Sequence, residues 1–268
     1  MKKKLNIHQS LTIAIGCHNS GILEENKKHI KRYINSKLKD KHDYRVLIID
    51  VNHEYKGSLV SINELRTFKN KVAVIRVDHS MTMEQKQKHV ANIIAHYKNG
   101  LLIMDGYNKI FPSIRNMEVS AMLSCPRNFS RDAIISFQDP STVPFKILQN
   151  TSFIRLHRTV TNFDQKKIAD KYSELLPISN YVLKARGLFI GNRFVIIDND
   201  NQQISGCSKA DYLLGYSEYL KSKINKIKNI KQLGVFLNYC KPDKIYSDMK
   251  HIPISNILNT YTKQPHEN

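Results

Sequence analysis

Leu11-Thr-Ile-Ala-Ile-Gly-Cys-His-Asn-Ser-Gly-Ile-Leu23 is the stretch on which the fold turns. Leu11–Ile15 is a short, continuous apolar run ending at Gly16, the pattern of a strand buried on both faces. Gly16–Gly21 (GCHNSG) is rich in turn residues. A helix is predicted over Glu24–Lys37, with Ile30, Tyr33 and Ile34 on one face. The same alternation continues downstream. Arg45–Asp50 (RVLIID), Val72–Val77 (VAVIRV), Leu101–Asp105 (LLIMD), Asp132–Phe137 (DAIISF) and Phe153–His157 (FIRLH) read as further strands. Met83–Tyr97 and Ser113–Leu123 read as helices between them. Apolar strands separated by helices predict a mostly parallel sheet covered on both faces. Ligands of such sheets bind beyond the carboxyl ends of the strands. Gly16, Asp50, Asp105 and Gln138 stand at four of those ends.

After about residue 160 the pattern changes. Phe163–Leu175 reads as a helix. Tyr181–Ile190 and Asn192–Asp198 read as two antiparallel strands joined near Gly191, and Asn199-Asp200-Asn201 as a turn. Ser208, with Asp211 three residues on, predicts a capped helix running to about Lys228. The expected organisation is a core over residues 1–160 and an extension over 161–268, made of a helix, a β-hairpin, a basic helix and a tail.

The strand–GCHNSG–helix unit has the shape of a phosphate-binding loop, G-x-x-x-x-G-K-[ST]. Gly16 and Gly21 hold its spacing. Ile22 stands where a lysine would reach the β/γ-phosphates, and Leu23 where a hydroxyl would hold magnesium. Backbone N–H groups at a helix N-terminus still suit an anion. LLIMD has the Walker B form, apolar residues closed by Asp105, and Gly106 follows it. Asp50-Val51-Asn52-His53-Glu54-Tyr55 follows the second strand. Gln138 ends the fifth, in FQDPS (Phe137–Ser141), with Arg127 and Arg131 before it.

Over Leu11–Thr159 the order and spacing of these elements resemble the HerA/FtsK superfamily of DNA-pumping P-loop ATPases, which includes packaging, conjugation and Zot-like proteins. The resemblance implies a RecA/ASCE-like P-loop fold with a C-terminal β-hairpin and helix. It implies a phosphate loop of Gly16, Cys17, His18, Asn19, Ser20, Gly21, Ile22 and Leu23, and ATP with Mg2+ as ligands. Asp105 would hold the metal and Gln138 would sense the γ-phosphate. Arg127, before Arg131, would reach into a neighbouring subunit's site. Glu54 would polarise water in place of the glutamate that catalytic members carry at the Gly106 position. The resemblance also implies a homo-oligomer, a ring such as a hexamer, around DNA. The departures at Ile22, Leu23 and Gly106 predict weak or lost hydrolysis, because phosphoryl transfer depends on positioning and electrostatic stabilisation of phosphate oxygens. Two other readings stay open. One is a non-catalytic relative that binds DNA or a partner subunit. The other is a metal-dependent nuclease using Asp50, Glu54 and Asp105.

Composition sets the outer limits. The 268 residues carry 42 Lys and Arg against 23 Asp and Glu, a net charge of +19. With 41% hydrophobic residues the chain can fold and is no disordered basic tail. Lys27–Lys39 holds six basic residues and no acid, and Lys221–Lys231 five lysines and no acid. Both suit salt-sensitive contact with DNA phosphates, or a solvated helix face. No apolar run approaches the ~20 residues of a membrane span, and no apolar signal core follows Lys2–Lys4. Cys17, Cys125, Cys207 and Cys240 are too far apart for a C-x-x-C pair. A cytoplasmic protein is expected, in a host cell if the source is viral.

Overall fold

The computed structural model describes residues 9–17, 19–40, 44–65, 67–112, 117–159, 174–185 and 194–224. Its strands are β1 (Leu11–Ile15), β2 (Arg45–Asp50), β3 (Ser58–Leu59), β4 (Val72–Arg76), β5 (Gly100–Asp105), β6 (Arg131–Phe137), β7 (Phe153–His157), β8 (Phe194–Asp198) and β9 (Gln203–Ser205). The helices are α1 (Ile22–Asp40), α2 (Met83–His96), α3 (Tyr107–Ile110), α4 (Met117–Ser124), α5 (Phe145–Gln149), α6 (Leu175–Ala185) and α7 (Lys209–Ile224).

The strands form one sheet in the order β3-β4-β2-β5-β6-β1-β7-β8-β9. From β3 to β7 every pairing is parallel, and β8 and β9 join antiparallel. Each apolar run predicted as a strand of the parallel sheet is one. Alternate residues of each run face opposite sides, as the pleat demands. Val46 and Ile48 enter a core cluster with Ala14, Ile30 and Tyr33, under α1. Leu47 and Ile49 enter the larger cluster on the other face, with Val90 and Ile93 of α2 and Leu123 of α4. Because β1, β2, β4, β5, β6 and β7 all run one way, their carboxyl ends lie along one edge. β6 sits between β1 and β5, so the end of β6 is flanked by the loop after β1 and by Asp105.

Tyr181–Ala185, the described part of the predicted strand Tyr181–Ile190, is helical instead and closes α6. Leu175, Leu176, Ile178, Val182 and Leu183 are buried at helical spacing, and Pro177 sits in the first turn, where its missing N–H costs nothing. The hairpin is β8–β9. At its turn the Asp198 carboxylate accepts from the N–H groups of Asp200 (3.0 Å) and Asn201 (2.9 Å). β8 extends the main sheet at β7, and Val195, Ile197 and Ile204 share the larger core with Tyr212 and Tyr216. Ser208 caps α7 as predicted, its Oγ accepting from Asp211 N at 3.1 Å. The predicted helix over Phe163–Leu175 lies outside the described residues up to 173, as does everything after Ile224.

α6 and α7 touch at backbone distance. A Cβ on Gly215 would stand 2.4 Å from Val182 Cα and 2.5 Å from Val182 N. Neither can yield without separating the helices. Gly215→Ala is therefore expected to destabilise the fold by about 1–3 kcal/mol, read as a lowered thermal midpoint. An unchanged midpoint would show that the helices do not meet there.

Candidate functional site

The loop after β1 is shaped by its backbone. Asn19 (φ 59°) and Gly21 (φ 88°) are both left-handed with Ser20 between them. The Ser20 N–H between them donates to Cys17 O (3.2 Å), so the N–H groups that suit an anion are those of the first turn of α1. The loop is anchored at its start: Gly16 N donates to Phe137 O (3.0 Å) and Cys17 N to Arg158 O (2.8 Å). Gly16 admits no side chain, because a Cβ would meet Ser20 Oγ at 2.4 Å and His157 Cβ at 2.6 Å. Ser20 Oγ is buried over Gly16 with no hydrogen-bond partner. α1 starts at Ile22, leaving the unbonded N–H groups of a helix terminus at the loop. The side chains of Ile22 and Leu23 are half-buried against the core cluster beneath α1, so their apolar character serves packing. His18 lies outside the described residues.

A cavity of about 100 Å³ collects the loop residues Gly16, Cys17, Asn19, Ser20, Gly21, Ile22 and Leu23 with Glu54, Asp105 and Gln138. The structure thus brings together most of the side chains the sequence singled out. Asp105 is buried at the end of β5, and its pKa is pushed up to about 6. Burial is the main cause. Glu54 and Asp50 add like charge, while Ser136 and Lys109 act the other way. Glu54 and Gln138 are exposed at the cavity rim. Asp50 has a different task. Its carboxylate accepts from Glu54 N (3.1 Å) and Tyr55 N (2.9 Å), which folds the loop after β2 and aims Glu54. Among the described residues no three His, Cys, Asp or Glu side chains are placed to hold a metal ion together. The residues fit a phosphate group through the loop and the orphaned Ser20 hydroxyl, and a carboxylate-bound divalent cation at Asp105.

Residues 27–172, more than half the chain, match the family model described as Zonular occludens toxin (Zot). The chain belongs to the Zot family. The match takes in Asp50, Glu54, Asp105 and Gln138 and leaves out the loop at Gly16–Leu23. In fold, the Zot-family chain is similar to the genome packaging NTPase B204 of Sulfolobus turreted icosahedral virus 2. The complex of that protein with ATP-gammaS is 20% identical, with a TM-score of 0.52, over 74% of this chain and 95% of that one. Its AMP complex is 19% identical, with a TM-score of 0.51, over 74% and 96%. No curated protein matches. The fold is that of the HerA/FtsK-like P-loop ATPases, as the motifs implied.

Two arginines of this Zot-family chain stand apart from the cavity. Arg127 lies in the short helix Pro126–Phe129 ahead of β6. β6 carries the chain about 20 Å to the other edge of the sheet. Arg131 is fully buried, its guanidinium donating to the carbonyls of Ile94 and Tyr97. That makes it a structural residue, not one free to reach a neighbour.

Sequence reasoning missed the polar groups beneath the site. Asn26 of α1 is fully buried. Its Nδ2 donates to Tyr55 Oη (3.0 Å) and Ser136 Oγ (3.2 Å), and its Oδ1 accepts from the Arg155 guanidinium. His157 is buried too, with Nδ1 2.9 Å from Ser20 O. A carbonyl can only accept, so Nδ1 carries the proton and Nε2 is left as a bare lone pair without a partner. The signal was in FIRLH: a charged and a titratable residue inside a strand buried on both faces require partners.

Burial, with the Arg155 charge second, lowers the His157 pKa to about 3. Between pH 6.5 and 3 the unfolded chain binds this proton and the folded chain does not. Stability is therefore gained as pH rises through that window and lost as pH falls. His157→Gln is expected to remove about 1 kcal/mol per pH unit from the slope of stability against pH there. Urea titrations of both proteins at pH 4, 5 and 6 measure it, and equal slopes would refute the burial of a neutral imidazole.

Proposed function

We propose that this protein is a DNA-packaging or DNA-translocating member of the HerA/FtsK-like P-loop ATPases that binds ATP with Mg2+ and hydrolyses it weakly. The observation that carries this reading is the convergence of the Gly16–Leu23 loop, Asp105, Glu54 and Gln138 on one cavity at the carboxyl edge of the sheet. The loop N–H groups receive phosphate oxygens. Asp105 holds the metal, which when bound neutralises those oxygens. Gln138, at the end of the strand between loop and metal site, reads the terminal phosphate. Glu54 orients water from the far side. Arg127, at the opposite edge of its own sheet, serves a neighbouring copy's site, which calls for a homo-oligomer such as a ring. The exposed Lys27 and Lys31 on α1, with the Lys221–Lys231 segment, contact DNA phosphates. A virus or mobile element in a host cytoplasm is the setting. No helix among the described residues is long and apolar enough to cross a membrane.

A non-catalytic role is favoured by one specific observation. Ile22 and Leu23, which replace the lysine and the magnesium hydroxyl, are packed on the core. Turnover and nucleotide binding separate the two roles. Wild type is expected to bind ATP-gammaS in Mg2+ and to turn over ATP slowly with double-stranded DNA. Ile22→Lys/Leu23→Thr is expected to raise turnover about a hundredfold, and adding Asp105→Asn to abolish it. A double variant that binds ATP and stays inactive would leave the non-catalytic role. No nucleotide binding, with DNA cleavage in Mg2+ alone, would replace both by a nuclease.

A further inference from the structure

We propose that Lys109 is the cation that faces the terminal phosphate of a nucleoside triphosphate seated on the Gly16–Gly21 loop. This rests on the nucleotide reading above and assigns it a residue that the family motif does not contain.

The first observation is the shape of the cleft. The loop cavity, about 100 Å³, is too small for a nucleotide, since small-molecule pockets run from about 300 to 1,000 Å³. A second cavity of about 520 Å³ opens beside it, lined by Asn52, Glu54, His79, Lys86 and Lys109 among others. Asn52 and Glu54 line both cavities, so the two form one groove along the carboxyl ends of β1, β6, β5, β2 and β4. Among the described residues the loop end contributes no lysine or arginine to its lining, whereas the far end contributes Lys86 and Lys109.

The second observation is direction. Asp105 would hold the metal of a bound nucleotide, where it would neutralise the terminal phosphate oxygens. The terminal phosphate therefore points from the loop towards Asp105 and into the half of the groove that holds the lysines. Of the two, Lys109 is the one whose charge acts on Asp105.

The third observation is how firmly Lys109 is held. α3 is only four residues long, yet each residue is tied to a different element. Tyr107 Oη meets Ser120 Oγ of α4 at 3.3 Å. Asn108 Nδ2 donates to Thr142 Oγ1, in the turn after Gln138. Lys109 Nζ donates to Asn52 Oδ1 at 2.6 Å. Gln87 of α2 donates to Ile110 O at 2.9 Å. An exposed lysine normally wanders, whereas this one is fixed on the groove wall. Its partner is a neutral amide, so its charge is oriented without being cancelled by a contacting carboxylate. Gly106, which opens α3, is left-handed (φ 76°), a turn that favours glycine.

Binding of ATP and of ADP in Mg2+, measured by calorimetry on the full chain, tests the assignment. Lys109→Met is expected to weaken ATP about tenfold to a hundredfold, the worth of one charge-assisted hydrogen bond. ADP should change by less than about threefold. Lys109→Arg should recover most of the loss. Asn52→Leu, which frees the lysine without removing it, should give a smaller loss in the same direction. Lys98→Met, exposed at the other edge of the sheet, controls for net charge. ATP binding by Lys109→Met equal to wild type overturns the assignment while leaving the nucleotide reading intact. Equal weakening of ATP and ADP overturns it too, in favour of a structural role. Wild-type protein that binds neither nucleotide overturns both.

Discussion

One buried side chain fixes the relative position of everything at the site. Asn26 accepts from the Arg155 guanidinium of β7 and donates to Tyr55, beyond β2, and to Ser136 of β6. It lies in the second turn of α1, so the phosphate loop, the Glu54 loop and the end of β6 are all referred to a single amide. Arg155 could not be buried in a strand without such an acceptor, because an uncompensated buried charge costs several kcal/mol. The two sides of the requirement lock each other. The charge holds the amide's orientation, and the oriented amide presents both its donors to the elements that frame the cavity. His157, two residues on and on the same strand face, does for the loop what Arg155 does for the helix, through its bond to Ser20 O.

Against that frame, the departures from the phosphate-loop motif form a pattern. Ile22 and Leu23 give up a cation and a hydroxyl and gain packing against the core under α1. Gly106 gives up a carboxylate and gains a left-handed turn, which brings α3 and its lysine back over the cavity. A glutamate at 106 would be strained at that φ. Loss of positive charge at the loop and its appearance across the cavity belong to one local arrangement.

The strands of the sheet were legible because a parallel sheet covered on both faces writes itself as apolar runs, and all of them here but Phe153–His157 are bounded by Gly, Asp or Gln. The site was legible as far as strand ends go: Gly16, Asp105 and Gln138 follow directly from topology. α6 was not, for two reasons. Pro177 suggests a stop, although a first-turn proline is compatible with a helix. The stretch Tyr181–Ile190 is also apolar enough to pass for a strand, and short apolar runs do not declare their period. Asn26 with Arg155 was invisible for another reason. The residues are 129 apart in sequence, and nothing local to either marks the other. Lys109 is likewise unremarkable in DGYNKI until α3 is seen to be tied at every residue.

The net charge of +19 also looks different once placed. The groove itself is not basic at the loop end. Glu24 and Glu25 occupy the first turn of α1, where acids stabilise a helix terminus and, by the same field, oppose an incoming anion. Glu25 is buried and offset by Lys28 at 2.6 Å. Glu24 is exposed and lines the loop cavity with Glu54 and Asp105. Three carboxylates therefore share the cavity with the backbone N–H groups of the loop. Asp105, raised to about 6, relieves part of that repulsion by holding a proton more readily than usual. A divalent cation would relieve the rest by bridging carboxylate and phosphate oxygens, turning the same charges from repulsive to attractive. On the nucleotide reading proposed above, polyphosphate affinity at this site would depend on the metal more strongly than where a loop lysine already supplies the charge.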